Sequence, residues 1–280
     1  MIQERLKALR AEMEKRGITV YVVPTADFHE SEYVGDHFKA RKFITGFTGS
    51  AGTAVITAEE AGLWTDGRYF VQAENQLKGS TVTLYRMGEE GVPTVDEFVK
   101  DKLNEGGCLG FDGRVVNGTW GGKLEKIASA KNASMHVTED LIDLIWEDRP
   151  ALSKQPLFIL EEKYSGKSTA DKIADLRKAM KENGANVHIL TSLYDIAWLL
   201  NIRGNDIDYV PVVLSYLVLT ETECIWFLQE DVVDDKIRAY LDENHIITKP
   251  YNAVYDYVPE IPADAVVLMN RGMVNYRIVN

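Results

Sequence analysis

At 280 residues, with 45% hydrophobic content, the chain is longer than one usual domain and rich enough in apolar residues to bury two ordinary cores. A net charge of −12 argues against nucleic acid and anionic membrane as partners, since both require basic surfaces. Two cysteines, Cys108 and Cys224, with no CxxC spacing indicate neither a disulfide framework nor a structural zinc site.

The opening stretch, MIQERLKALRAEMEKRG, reads as an amphipathic helix with Leu6, Leu9 and Met13 on one face and Gly17 at its end. It lacks the pattern of a signal peptide, and no apolar run approaches the ~20 residues that span a bilayer. A cytoplasmic protein is therefore expected. Residues 20–23 form a buried strand ended by Pro24, and 31–45 is helical or irregular. The stretch 46–72, GFTGSAGTAVITAEEAGLWTDGRYFVQ, carries three early glycines. It predicts a hairpin of strands 53–57 and 63–65, an Asp-Gly turn at 66–67 and a helix over 69–77. Further on, the pattern predicts strands at 82–85, 109–111 and 136–138, with helices at 95–103, 118–127 and 139–146.

Around Asp148-Arg149-Pro150 and Pro156 the pattern breaks, which places domain boundaries at 1–152 and 153–280. The second half predicts helices at 168–183, 195–200 and 234–243. Its strands are expected at 187–190, 214–219, 224–228, 246–248 and 266–269. At an offset of 167, Leu6, Leu9, Met13, Gly17 and Val20 fall on Ile173, Leu176, Met180, Gly184 and Val187, so the halves echo each other. Strands alternating with helices, and hairpins among them, give an α/β class with a mixed sheet in each half.

Three motifs suggest chemistry and fail on spacing. Ser50 in Gly49-Ser50-Ala51-Gly52 lacks the glycine two residues earlier that a nucleophile elbow needs. Gly166-Lys167-Ser168 mimics the end of a phosphate loop, but Glu161 stands where its first glycine belongs, and a helix start explains it. The five histidines show neither i, i+4 pairing nor a His-Glu-x-x-His motif, so no metal site is expected in this chain. Polar residues at loop and strand ends remain: His29, Glu32, Tyr33, Arg41, Asp66, Arg68 and Tyr69 in the first half, then Arg203 and Asp206 in the second. Arg68 suits two roles, gripping a peptide carboxylate bidentately or pairing with Asp66 or Glu32 to fix the loop.

Two blocks resemble a known family. HESEY at 29–33 followed by GFTGSAGTAV and LWTDGRYFVQAENQL is similar to the first N-terminal domain of the aminopeptidase P (Xaa-Pro aminopeptidase) family, within the creatinase/prolidase superfamily. DIAWLLNIRGNDIDYVPVVLSY at 195–216 resembles the second N-terminal domain of the three-domain members. It departs from their commoner Asn-Pro-Val-Phe form with Val210-Pro211-Val212-Val213. The resemblance implies two tandem creatinase/prolidase N-terminal-like domains with a ribonuclease-H-like strand order, and it covers essentially the whole chain. It further implies a cytoplasmic hydrolase that removes the residue preceding proline from peptides, dimeric at full length. That hydrolase uses two divalent metals, manganese by family habit, held in a pita-bread catalytic domain expected beyond residue 280. These two domains would themselves be non-catalytic and shape the active-site entrance, with the nine polar residues above as entrance candidates. The alternative is a peptide- or protein-binding module derived from the same fold, as in histone-chaperone subunits. Creatinase itself, with a single such domain, does not account for the second block.

Overall fold

The computed structural model describes residues Met1–Asn280. The chain divides into two units, Met1–Phe28 with Asp36–Ala151, and His29–Gly35 with Leu152–Asn280. The expected boundary leaves residues 29–35 in the first domain; the structure gives them to the second.

In the first unit α1 (Ile2–Lys15) buries Leu6, Leu9 and Met13, the spacing that puts one helix stripe against a sheet. The strands are β1 (Val20–Pro24), β2 (Thr53–Thr57), β3 (Ala61–Thr65), β4 (Thr83–Arg86), β5 (Cys108–Phe111) and β6 (Ser134–His136). They assemble in the order β4-β3-β2-β1-β5-β6, antiparallel at β1–β2 and β2–β3 and parallel elsewhere. Because strand side chains alternate, Tyr21, Val23 and Leu63 enter a core with α1 and α2 (Ala40–Thr45). The next residue, Trp64, turns to the other face and packs on Phe98 of α4 (Val95–Lys102), ring centroids 4.8 Å apart. Helices thus cover both faces. The set is completed by α3 (Phe70–Gln76) and α5 (Gly118–Ser129), the latter capped by Asn117 accepting from the Trp120 amide.

The helix expected over 139–146 does not form. Asp140 accepts from the amide of Ile142 with its side chain, Tyr21 accepts from Leu141, and the remaining bonds are three-residue turns. An aspartate that satisfies its own neighbours' amides competes with helix propagation. The last strand lies two residues earlier than expected, at Ser134–His136, where its register with Cys108–Gly110 is set.

The second unit contains β7 (Phe158–Ile159), α6 (Glu162–Ser165), α7 (Thr169–Glu182), β8 (Val187–Leu190), α8 (Leu193–Leu200), β9 (Ile202–Arg203), β10 (Ser215–Thr220) and β11 (Cys224–Leu228). It continues with α9 (Asp235–Glu243), β12 (Ile246–Pro250), α10 (Val254–Tyr257), β13 (Val267–Leu268) and α11 (Tyr276–Val279). The main sheet runs β12-β11-β10-β8-β13, while β7 and β9 pair separately. Strand for strand this is the order β4-β3-β2-β1-β5 of the first unit, with the same directions at each pairing. Residues 2–15 and 169–182 are both helix, and β1 and β8 both begin on the pair Val20 and Val187. The internal repeat at an offset of 167 is therefore structural as well as sequential. No helix is long and apolar enough to cross a membrane.

Cys224 sits at the start of β11, 1% exposed, where burial pushes its thiol up to about 12. A buried, protonated thiol is a poor nucleophile. Cys224 should therefore stay unlabelled by a thiol reagent at pH 8 until denaturant is added. Rapid labelling of the native chain at this cysteine would show that the second core opens locally.

Candidate functional site

The glycine loop between α2 and β2 is held from beneath by one side chain. Arg41, on α2 and 4% exposed, donates from Nε to Thr25 Oγ1 at 2.9 Å, from Nη1 to the Phe47 carbonyl at 2.5 Å and from Nη2 to the Gly49 carbonyl. No carboxylate partners it, and burial lowers its pKa to about 10, so it stays charged at neutral pH. Gly46 ends α2 with φ +78°, a left-handed cap that favours glycine. At Gly49 a Cβ would stand 2.2 Å from the Phe47 ring, so the close approach of loop to ring requires glycine there.

Above this clamp the turn after β3 presents the polar group. Asp66 accepts from the Arg68 amide at 3.1 Å, and its two oxygens take Nε and Nη2 of Arg68 at 2.8 Å each. Hydrogen bonding from Arg68 lowers the Asp66 carboxyl to about 2. Of the two roles open to Arg68, the structure shows the pairing with Asp66. Its side chain is nevertheless 70% exposed, with Nη1 left over for solvent or a ligand. Tyr69 caps α3, meets Phe47 edge-on at 5.9 Å and exchanges a 2.6 Å hydrogen bond with Ser50, whose hydroxyl is thus a loop tie. The rim continues through residues that sequence reasoning passed over. Gln72 and Gln76, one turn apart on α3, donate to Thr48 Oγ1 at 2.9 and 2.8 Å, and Gln76 accepts from the Thr48 amide. Their i, i+4 spacing was the available signal.

The seven first-half candidates are divided between the units. Arg41, Asp66, Arg68 and Tyr69 surround the loop of the first. His29, Glu32 and Tyr33 belong to the second, with Glu32 and Tyr33 exposed and His29 only 1% exposed. His29 Nδ1 lies 2.9 Å from the Thr191 carbonyl and Nε2 lies 2.6 Å from the Tyr251 hydroxyl. Arg203 donates to the carbonyls of Ala197 and Ile202, closing the C-terminal end of α8. Lys172, a buried lysine that sequence spacing did not single out, joins it there through the Trp198 carbonyl at 2.8 Å and Asn201 Oδ1 at 2.6 Å. Two cations thus meet the negative end of one helix dipole. Asp206 accepts from the amides of Gln155 and Leu214 at 3.1 and 2.9 Å, and burial pushes its carboxyl up. These second-unit side chains brace backbone. Of the candidates, Glu32, Tyr33 and Arg68 are exposed, and Arg68 is the one already oriented by an ion-pair partner.

No three histidine, cysteine, aspartate or glutamate side chains converge as a metal site would require, so the residues present do not fit a divalent cation.

Residues 5–145 and 148–280 each match a creatinase/prolidase N-terminal domain. The chain is 41% identical over 255 residues to the probable Xaa-Pro aminopeptidase P of Neurospora crassa, covering 90% of this chain and 37% of that protein. It is 40% identical over 261 residues to the corresponding protein of Coprinopsis cinerea, covering 92% of this chain and 42% of that one. The fold superposes on the X-prolyl aminopeptidase of Caenorhabditis elegans, described as a cytosolic enzyme with a di-nuclear active site. That match has a TM-score of 0.93 at 32% identity, over 99% of this chain and 48% of the other. The chain thus spans less than half the length of these relatives. By both halves of its sequence and by its fold, it belongs to the creatinase/prolidase N-terminal domain family, and carries two such domains in tandem.

Proposed function

We propose that these residues are the N-terminal, non-catalytic part of a cytosolic Xaa-Pro aminopeptidase, the chain passing from one domain to the next between residues 151 and 156. The observation that carries this is the superposition on the C. elegans enzyme over 99% of the chain, together with relatives of the same name at about two-fifths identity. Metal ions, manganese by the family's habit, would be held by the part of the enzyme that these residues do not match. The role left to the two domains is to frame the entrance, bound the length of admitted peptides and contribute to a dimer. Arg68, exposed and already oriented by Asp66, is the group we assign to the passing peptide.

The test uses the full-length protein in which these residues occur, loaded with manganese, and peptides with proline at the second position. Hydrolysis is expected from the full chain and not from residues 1–280 alone. In the full chain Arg68→Ala should raise KM by about 3- to 10-fold, the worth of one ordinary hydrogen bond at an exposed site, and leave kcat nearly unchanged. Loss confined to kcat would remove Arg68 from the entrance. Failure of the full chain to cleave any Xaa-Pro peptide would leave the binding-module alternative standing.

A further inference from the structure

Along one flank of α3 the first unit carries a row of polar groups whose hydrogen-bonding capacity is only partly used. Asp66 occupies Nε and Nη2 of Arg68, so the edge of the guanidinium that grips a carboxylate bidentately is taken and its charge is cancelled. The Asp66 carboxyl, lowered to about 2, stays ionised at neutral pH and repels a second carboxylate. What Arg68 still offers is Nη1, a donor alone. Next in the row, one of the hydroxyls of Ser50 and Tyr69 donates to the other at 2.6 Å, which leaves the acceptor's own proton free. Thr48 Oγ1 accepts from Gln72 and Gln76, and its own proton finds no acceptor in the chain. Gln72 turns its amide nitrogen to Thr48 Oγ1 and Gln76 Oε1, and keeps its own Oε1 as an open acceptor. Thr48, Ser50 and Arg68 are exposed, and Tyr69 and Gln72 half-buried. The bonds among these side chains hold the open groups in place before any ligand arrives, which lowers the ordering cost of binding.

The row thus mixes open donors with an open acceptor and carries no net charge. A carboxylate asks for donors only, and a metal ion for acceptors only. A peptide main chain presents one donor and one acceptor per residue. From Tyr69 to Gln76 the chain rises about 10 Å, the length of about three residues of an extended peptide. We infer that this row reads the main chain of the substrate peptide beyond its proline, over about three residues and by neutral hydrogen bonds, and that it is indifferent to the C-terminal carboxylate. The inference rests on the peptidase reading above, since a substrate cut after its first residue has nearly all of its main chain on the far side of the proline. Arg68 and Gln72 are then specificity-determining residues. They favour longer peptides over tripeptides, whether or not the C-terminus is charged.

The test uses the full-length protein in which these residues occur, loaded with manganese, and three substrates. They are Ala-Pro-Ala, and Ala-Pro extended by alternating glycine and serine to eight residues, as the free acid and as the C-terminal amide. Gln72→Met should raise KM for both long peptides by about 3- to 10-fold, the worth of one hydrogen bond, with kcat nearly unchanged and a clearly smaller effect on the tripeptide. Asp66→Asn combined with Arg68→Ala removes the ion pair without stranding a charge, and should raise KM for acid and amide by the same factor. The inference falls if KM for the long peptides does not move, or if the variants lose the tripeptide as much as the long peptides. It falls too if the double variant penalises the acid at least about fivefold more than the amide, which is charge recognition. Any of these results with a parent that cleaves all three substrates overturns the row alone. A parent that cleaves none of them overturns the peptidase reading and the row with it.

Discussion

Arg41→Met is expected to cost the first unit about 3–5 kcal/mol, because a buried charge-assisted network loses its single donor. The methionine fills much of the volume, so the loss comes chiefly from three acceptors left without partners: Thr25 Oγ1 and the carbonyls of Phe47 and Gly49. All three lie where the glycine loop packs back on α2 and β1, and water cannot replace a guanidinium that is 4% exposed. Arg41→Lys should recover only part, since an ammonium cannot fan its donors to three acceptors in one plane. Arg68→Ala, by contrast, removes an exposed pair and should leave the unfolding midpoint within error of the parent. Urea unfolding of the three variants, followed by a probe in the first unit, is the measurement. A midpoint for Arg41→Met within error of the parent would mean that the loop does not depend on this clamp.

The second large effect is expected at His29. The Thr191 carbonyl can only accept, so Nδ1 carries the proton and Nε2 accepts from Tyr251; this tautomer is assigned from the network. The ring also lies 4.5 Å from that of Tyr216, whose hydroxyl meets Tyr255 at 2.8 Å. His29→Ala should cost the second unit about 3 kcal/mol, from a cavity plus the loss of two buried hydrogen bonds. His29→Phe keeps the volume and should still cost about 2 kcal/mol, which isolates the hydrogen bonds. Both variants should speed amide exchange in residues 30–35, while β1 and β2 exchange as in the parent. If exchange in 30–35 is unchanged, His29 does not anchor that segment.

Much of the fold was legible because it is written in local periodicity. Leu6, Leu9 and Met13 recur at helix spacing, residues 53–65 are two short apolar runs around a polar turn, and the same grammar returns 167 residues later. A helix or a hairpin needs only neighbours to bury one face, so its signal survives in a single sequence. The Asp66–Arg68 pair was legible for the same reason, as two residues on one turn. Pairing partners further apart were not. Nothing in HESEY says that its histidine joins a strand end and a tyrosine 162 and 222 residues away. Arg41 reads in the sequence as one of the polar entrance candidates at loop and strand ends, and in the fold it is the buried support of a loop, since only the tertiary structure brings Phe47 and Gly49 over it. Lys172 carried no signal at all, because a lysine on an amphipathic helix is ordinarily solvated until a second helix presents its carbonyls to it. Sequence alone thus determined most of the elements, their repeat and the family, but not the irregular turns at 139–146. The tertiary structure decided which candidate side chains are braces and which, Glu32, Tyr33 and Arg68, face solvent, because burial and hydrogen-bond partnership are properties of packing between distant segments.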